Sequence, residues 1–221
     1  KQGEWNTFQK ALEKQGFLKQ LEQMITEFKR YEITPDGLKN HLSHMNQFVH
    51  KQPGEEALAN KLTDLLYIYE KLYLALKDHY MDGEDQLRLL AEKIAGSKLL
   101  EGAEVYIDGF HSFTPIELSV IEALLKKCKN VTVTLTVELP AQEATELELF
   151  YETIETHGIL VQLAELNGIT VDGSIHLEEG EKWKQNPSFA HLEKYFDVRP
   201  SKAYEGEAPI TIAEAHHPRA E

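Results

Sequence analysis

The stretch EVYIDGFHSFTPIE, residues 104–117, decides how the chain is read. It reads as a buried strand that carries Asp108 to its carboxyl end, a turn over Gly109–Phe113, and then a helix. The helix start is well marked. Thr114 stands as the cap, Pro115 at the first helical position, and Glu117 completes a Thr-x-x-Glu capping box. A carboxylate at such a strand end is placed for metal or phosphate chemistry, but the residue beside it is Gly109, which offers no acid or base. Asp108, Gly109, Phe110 and His111 are therefore the candidate site residues. A single His after a strand is more often a structural donor than a ligand.

Downstream, apolar runs of strand length alternate with helices, the pattern of a parallel sheet with crossover helices. The capped helix runs to about Cys128, and VTVTLTV (131–137) follows as a strand with Val131, Val133, Leu135 and Val137 on one side. ELELFYETIETHGILVQLAELN (146–167) is a long helix stopped by Gly168. ITVDG (169–173) reads as a short strand and PITIAEA (209–215) as a last one. Between them NPSFAHLEKYF is a helix capped by Asn186 with Pro187 at its first position.

Upstream, residues 5–96 read as helices throughout. Leu18, Leu21, Ile25 and Phe28 recur at helical spacing. Thr34, Pro35 and Asp36 begin a second helix over roughly 35–50. A third, 55–80, carries the stripe Leu58, Leu62, Leu65, Leu66, Tyr69, Leu72, Tyr73 and Leu76, and a short one over 84–95 turns Leu87, Leu90 and Ile94 inward. Four helices on short polar turns predict an antiparallel bundle. Tyr67, Tyr69, Tyr73 and Tyr80 read as packing residues before they read as a base-stacking platform.

Composition bounds the rest. The 221 residues carry a net charge of −14 and are 42% hydrophobic and 27% charged. The charge is uneven: residues 1–100 hold 14 Lys/Arg against 15 Asp/Glu, and residues 101–221 hold 9 against 22. Such a surface repels phosphate backbones, so the chain alone is expected to bind DNA weakly and with steep salt dependence. One cysteine, Cys128, excludes a disulfide framework and any four-thiolate site within the chain. No apolar run approaches transmembrane length and no charged-then-apolar leader opens the chain, which makes a cytoplasmic setting the default. The start at Lys1 and the stop after a strand-like segment point to a piece of a longer protein.

The order strand, Asp, aromatic, polar residue, capped helix, second strand resembles the Walker B region of superfamily 1 helicases of the UvrD/RecB type. Asp108 matches the Asp that holds magnesium of ATP through water, and Phe110 matches the aromatic. Gly109 stands where the water-orienting Glu belongs and His111 where a Gln belongs, so the motif is degenerate. The second strand ends in TLTVELP, with no Gly-Asp. A closer resemblance is to AddB, the B component of the AddAB ATP-dependent helicase/deoxyribonuclease. It is carried by EFKRYEITPD, DLLYIYEKL, YIDGFHSFTPIEL, VTVTLTVE, NPSFAHLEK and EAHHPRAE, in that order over nearly the whole chain.

The resemblance implies a fold: residues 1–97 a helical 1B-like domain, and residues 98–221 part of a 1A-like, P-loop-type α/β domain. Together they would be a helical bundle followed by a three-layer parallel sheet, an inactivated helicase core. It implies a non-catalytic segment that contributes to the DNA channel, to Chi recognition and to contact with an AddA-type motor subunit in a heterodimer. ATP, magnesium and a 4Fe-4S cluster would belong to the parent; no Gly-rich phosphate loop occurs within these residues. Two rivals come from the residues themselves. One is an independent Asp-dependent hydrolase, with Asp108 assisted by Glu138; the other is a plain protein-interaction module. His216 and His217, adjacent and facing opposite ways, with Glu214 or Glu221, make a poor metal set.

Overall fold

The computed structural model describes residues 7–8, 11, 14–47, 53–76, 80–137, 149–177, 183, 185–209 and 211. Seven helices and two strands occur among them. In chain order they are α1 (Gln15–Arg30), α2 (Pro35–Gln47), α3 (Pro53–Leu76), α4 (Gly83–Ile94), β1 (Glu104–Ile107), α5 (Pro115–Lys127), β2 (Asn130–Val133), α6 (Tyr151–Leu166) and α7 (Pro187–Tyr195). By contact the chain forms two compact units. One comprises residues 1–137 with 152–171, the other residues 138–151 with 172–221.

Within the first unit the helix starts follow their capping chemistry. Thr34 Oγ1 accepts from the Gly37 N–H at 3.1 Å ahead of α2. Asp82 caps α4, its Oδ1 accepting from the Asp85 N–H at 3.0 Å, while Asp85 Oδ2 accepts from the Asp82 N–H at 3.4 Å. α2 packs on α3, α1 on α4 and α5, and α4 on α5. Ile25, Leu38, Leu42, Ala59, Leu65 and Tyr69 are buried among these helices, with Ile94 of α4 and Ile116 of α5 the most fully enclosed.

The α3 stripe divides. Leu65 and Tyr69 are buried, Tyr69 tilted against Phe28 of α1 at 5.7 Å, but Leu58 and Tyr73 stay exposed, as does Leu90 of α4. Ala59 and Asp64 take buried places instead. Asp64 does so because its Oδ2 accepts from the Thr7 and Phe8 N–H groups at 2.7 and 3.1 Å. A buried carboxylate needs such donors, and here they tie the N-terminal segment to α3. Burial raises the Tyr69 phenol above its usual range.

A second polar tie joins α1 to α4. Lys29, 9% exposed, donates to Asp82 Oδ2 and Asp85 Oδ2, both at 2.6 Å. Burial alone would lower the ammonium's pKa, yet the two carboxylate hydrogen bonds outweigh it and raise it. Burial would likewise raise the Asp82 carboxyl. Hydrogen bonds from Lys29 and from Asp85 reverse that and hold it low.

β1 and β2 pair in parallel, Glu104 opposite Asn130 through Ile107 opposite Val133, with α5 as the crossover. This sheet is far smaller than expected. Among the described residues the chain is mixed α/β but mostly helical, with one two-stranded parallel sheet rather than three layers around a broad one. Nor is β1 buried on both faces. Val105 and Ile107 are half-buried, whereas Glu104 and Tyr106 face solvent. The expected strand at 169–173 is not a strand: Val171 is half exposed, and no described segment completes a ladder with it. Of the expected strand at 209–215, the two described residues, 209 and 211, are not strand and the remainder lies outside the described residues. α6 begins at Tyr151 and ends in the expected way. Gly168 is left-handed at φ +68°, and the Ile169 N–H returns to the Ala164 carbonyl at 2.9 Å.

Candidate functional site at the carboxyl end of the parallel pair

Ligands of parallel α/β sheets gather beyond the carboxyl ends of the strands, which here are Ile107 and Val133. The register sets the next residue of each strand, Asp108 and Thr134, opposite one another. The Thr134 N–H donates to the Ile107 carbonyl at 3.0 Å, and Thr134 Oγ1 donates to Asp108 Oδ1. The carboxylate is exposed, but one oxygen is committed to a neighbouring strand.

Gly109 follows with φ +84°. A β-carbon built there meets nothing within 4 Å, so backbone conformation, not crowding, favours glycine. A side chain in this region costs about 1–2 kcal/mol. The consequence is specific: restoring a carboxylate by Gly109→Glu should lower stability by about that amount and not create nucleotide hydrolysis. Urea unfolding and a phosphate-release assay on the same variant check both halves.

Phe110, 42% exposed, stacks on Phe113 at 5.0 Å with their planes 27° apart. His111 is exposed, and it is its carbonyl that the fold holds: Thr156 Oγ1 donates to it at 2.9 Å, and to the Glu152 carbonyl at the same distance. One turn earlier in α6, Thr153 Oγ1 donates to the Thr136 carbonyl at 2.7 Å. Both threonines are buried. Two hydroxyls on one face of α6 thus pin the segments that leave both strands. The start of α5 is fixed by Glu117 Oε2, which accepts from the Thr114 N–H at 2.7 Å and its hydroxyl at 2.9 Å.

Asp108, Gly109, Phe110 and His111 therefore come together on one exposed turn. Sequence reasoning missed Thr134, Thr153 and Thr156. In VTVTLTV the threonines pass for strand formers. Thr153 and Thr156, three apart inside an otherwise apolar helix face, were the one signal of a polar anchor.

The donors do not fit the groups that the resemblance implies. Among the described residues no three His, Cys, Asp or Glu side chains converge. Asp108 is one carboxylate already accepting from Thr134, and magnesium bound through so few protein ligands relies on substrate phosphates. A four-iron cluster needs four thiolates, and the chain has Cys128 alone. Glu138, Glu214, His216, His217 and Glu221 lie outside the described residues.

Comparison with known families agrees with the resemblance to AddB. The family model described as "ADDB, N-terminal" matches residues 1–193. The chain belongs to the AddB N-terminal family. It is 56% identical to the B component of the ATP-dependent helicase/deoxyribonuclease of Oceanobacillus iheyensis over 223 residues, covering 100% of this chain and 19% of that protein. The corresponding proteins of Geobacillus thermodenitrificans and Bacillus cereus are 43% and 42% identical, over 99% and 98% of the chain and 19% and 18% of their own lengths. The chain thus spans about a fifth of the AddB relatives it matches. No helix of the described residues is long and apolar enough to cross a membrane.

Proposed function

We infer that this chain is a non-catalytic, helicase-like segment of the AddB component of an ATP-dependent helicase/deoxyribonuclease that acts in DNA double-strand-break repair and recombination. One observation carries the reading. The strand-end carboxylate, Asp108, is engaged by Thr134, and the position beside it is a left-handed glycine from which no side chain aligns water. Hydrolysis of a phosphoanhydride needs phosphate donors, a metal anchor and a group that positions water. This turn offers at most a relic of the second.

On this reading residues 1–97 correspond to a 1B-like helical domain and residues 98–221 to part of a 1A-like core. Their role is to form part of the DNA channel, to contribute to Chi recognition and to contact an AddA-type motor subunit. ATP, magnesium and the 4Fe-4S cluster belong to other parts of the parent, whose setting is the cytoplasm. Phe110, exposed and stacked on the half-buried Phe113, supports a contact role for the turn, since an aromatic face suits binding and supplies no general acid or base.

The purified chain should release no phosphate from ATP above buffer, and Asp108→Ala should leave that unchanged while removing the tie to Thr134. Turnover by the chain that disappears in Asp108→Ala would establish the hydrolase alternative instead.

A further inference from the structure

The carboxyl end of α6 carries chemistry that the turn after β1 does not use. Asn167 and Gly168 form the one Asn-Gly step in the sequence. An asparagine so placed reacts with its own backbone. The nitrogen of the next residue attacks the side-chain carbonyl carbon, a C–N bond forms, and the side-chain nitrogen leaves as ammonia. Water then opens the cyclic imide at either carbonyl, giving aspartate or isoaspartate, with nothing oxidised or reduced. Glycine hinders that attack least, and a β-carbon built on Gly168 meets nothing within 4 Å.

The fold holds both reacting groups apart. Asn167 Nδ2 donates to the Leu163 carbonyl at 2.8 Å, which folds the side chain back along α6 and away from the nitrogen that follows. That nitrogen is engaged as well. The Gly168 N–H donates to the Glu165 carbonyl at 3.0 Å and the Ile169 N–H to the Ala164 carbonyl at 2.9 Å. With Gly168 left-handed, the two bonds make the paired closure of a helix end. Asn167 is also tied to α5: the Glu122 carboxyl is held low chiefly by a hydrogen bond from Lys126, and one from Asn167 adds to it. The closure is nevertheless shallow. Leu166 is 78% exposed and Gly168 is exposed, and helix ends with so little burial open more readily than an interior.

We propose that Asn167–Gly168 is a deamidation site gated by opening of the α6 end, and that its conversion holds that end open. The product cannot restore what the asparagine supplied. A carboxylate at position 167 has no proton to give the Leu163 carbonyl or Glu122, and it lies at the negative end of the helix dipole. Isoaspartate also inserts a methylene into the backbone, which takes the Gly168 and Ile169 N–H groups out of register with their carbonyls. The modification therefore records time that this turn has spent open.

The test uses the full-length protein in its purified complex, incubated in mildly alkaline buffer with and without denaturing urea. Peptide mapping by mass spectrometry then resolves asparagine, aspartate and isoaspartate at position 167. Conversion should be at least about tenfold slower without urea, the factor that about 1.4 kcal/mol of closure supplies. Equal rates in the two conditions overturn the gating, and no conversion in urea overturns the site itself. Asn167→Asp in the same complex should speed amide exchange of Gly168 and Ile169 by about fivefold while leaving α3 unchanged, the factor that one lost hydrogen bond is worth. Exchange at both residues equal to the parent's overturns the claim that the product holds the end open. The rate comparison uses no substitution, so it decides the site and its gating whatever the variant does to folding.

Discussion

Lys29→Met is expected to lower stability by about 2–3 kcal/mol at neutral pH. Breaking a fully buried pair typically costs roughly 3–5 kcal/mol. The two aspartate side chains retain 29% and 30% of their accessibility, so water screens part of the loss. The substitution leaves Asp82 and Asp85 facing each other at the start of α4 without the cation that both touched at 2.6 Å. Removing the repulsion tests the cause. Lys29→Met/Asp82→Asn/Asp85→Asn should recover about 1 kcal/mol or more, because asparagine still caps the helix. A urea midpoint for the triple variant no higher than that of Lys29→Met would show that packing, not charge, was lost.

The same tie predicts a pH window. The Asp82 carboxyl is lowered in the folded chain, so its stabilisation is complete above the ordinary carboxylate pKa of about 4 and fades as pH falls below it. The Lys29 ammonium is raised, so its contribution is complete below about 10.4 and fades as pH climbs through the folded value. The stability gap between the parent chain and Lys29→Met should therefore be widest from about pH 5 to about pH 10 and shrink toward about pH 3. Denaturation midpoints measured across that range report it directly. A gap that stays constant down to the acid end would mean the charges contribute nothing.

Ile116→Ala should cost about 3 kcal/mol or more, the range for large-to-small changes in a packed interior. Ile116 is 1% exposed and follows Pro115 in the first turn of α5, a helix that packs on α4. It is therefore a core anchor of the helix into which the Asp108–Phe113 turn leads. Ile116→Val removes one methylene and should cost only about 0.5–1.5 kcal/mol. Equal midpoints for the two variants would show that the site is not packed as described. Because the turn runs from the His111 carbonyl held by Thr156 to the start of α5, loosening α5 should speed amide exchange in residues 108–114 more than in α3.

How much of this is legible in the sequence differs by kind of interaction. Caps are legible because they are local. Thr114 with Glu117, Asn186, Thr34 and Gly168 each act within four residues of themselves, and each terminus stands where its residue chemistry puts it. Burial on α3 is half legible. Spacing names the apolar residues of the helix, but what packs against each position is set elsewhere in the chain. Leu58 is thus exposed, while Asp64 is buried by two backbone donors more than fifty residues away.

The strands are the least legible. Alternation says that a segment suits a pleated sheet, yet a strand exists only where another backbone completes its hydrogen bonds. Residues 104–107 and 130–133 find each other, while residues 169–173, similar in composition, find no ladder partner among the described residues.

At the turn after β1, covalent structure already limits the chemistry. Asp108 is followed by glycine, phenylalanine and histidine, and no fold changes what those side chains can do. Folding adds that Asp108 is spoken for by Thr134, 26 residues on, and that Gly109 sits where φ is positive. Functional groups are written into the chain one residue at a time. Their partners are chosen by strand register and helix packing, which depend on the whole unit at once.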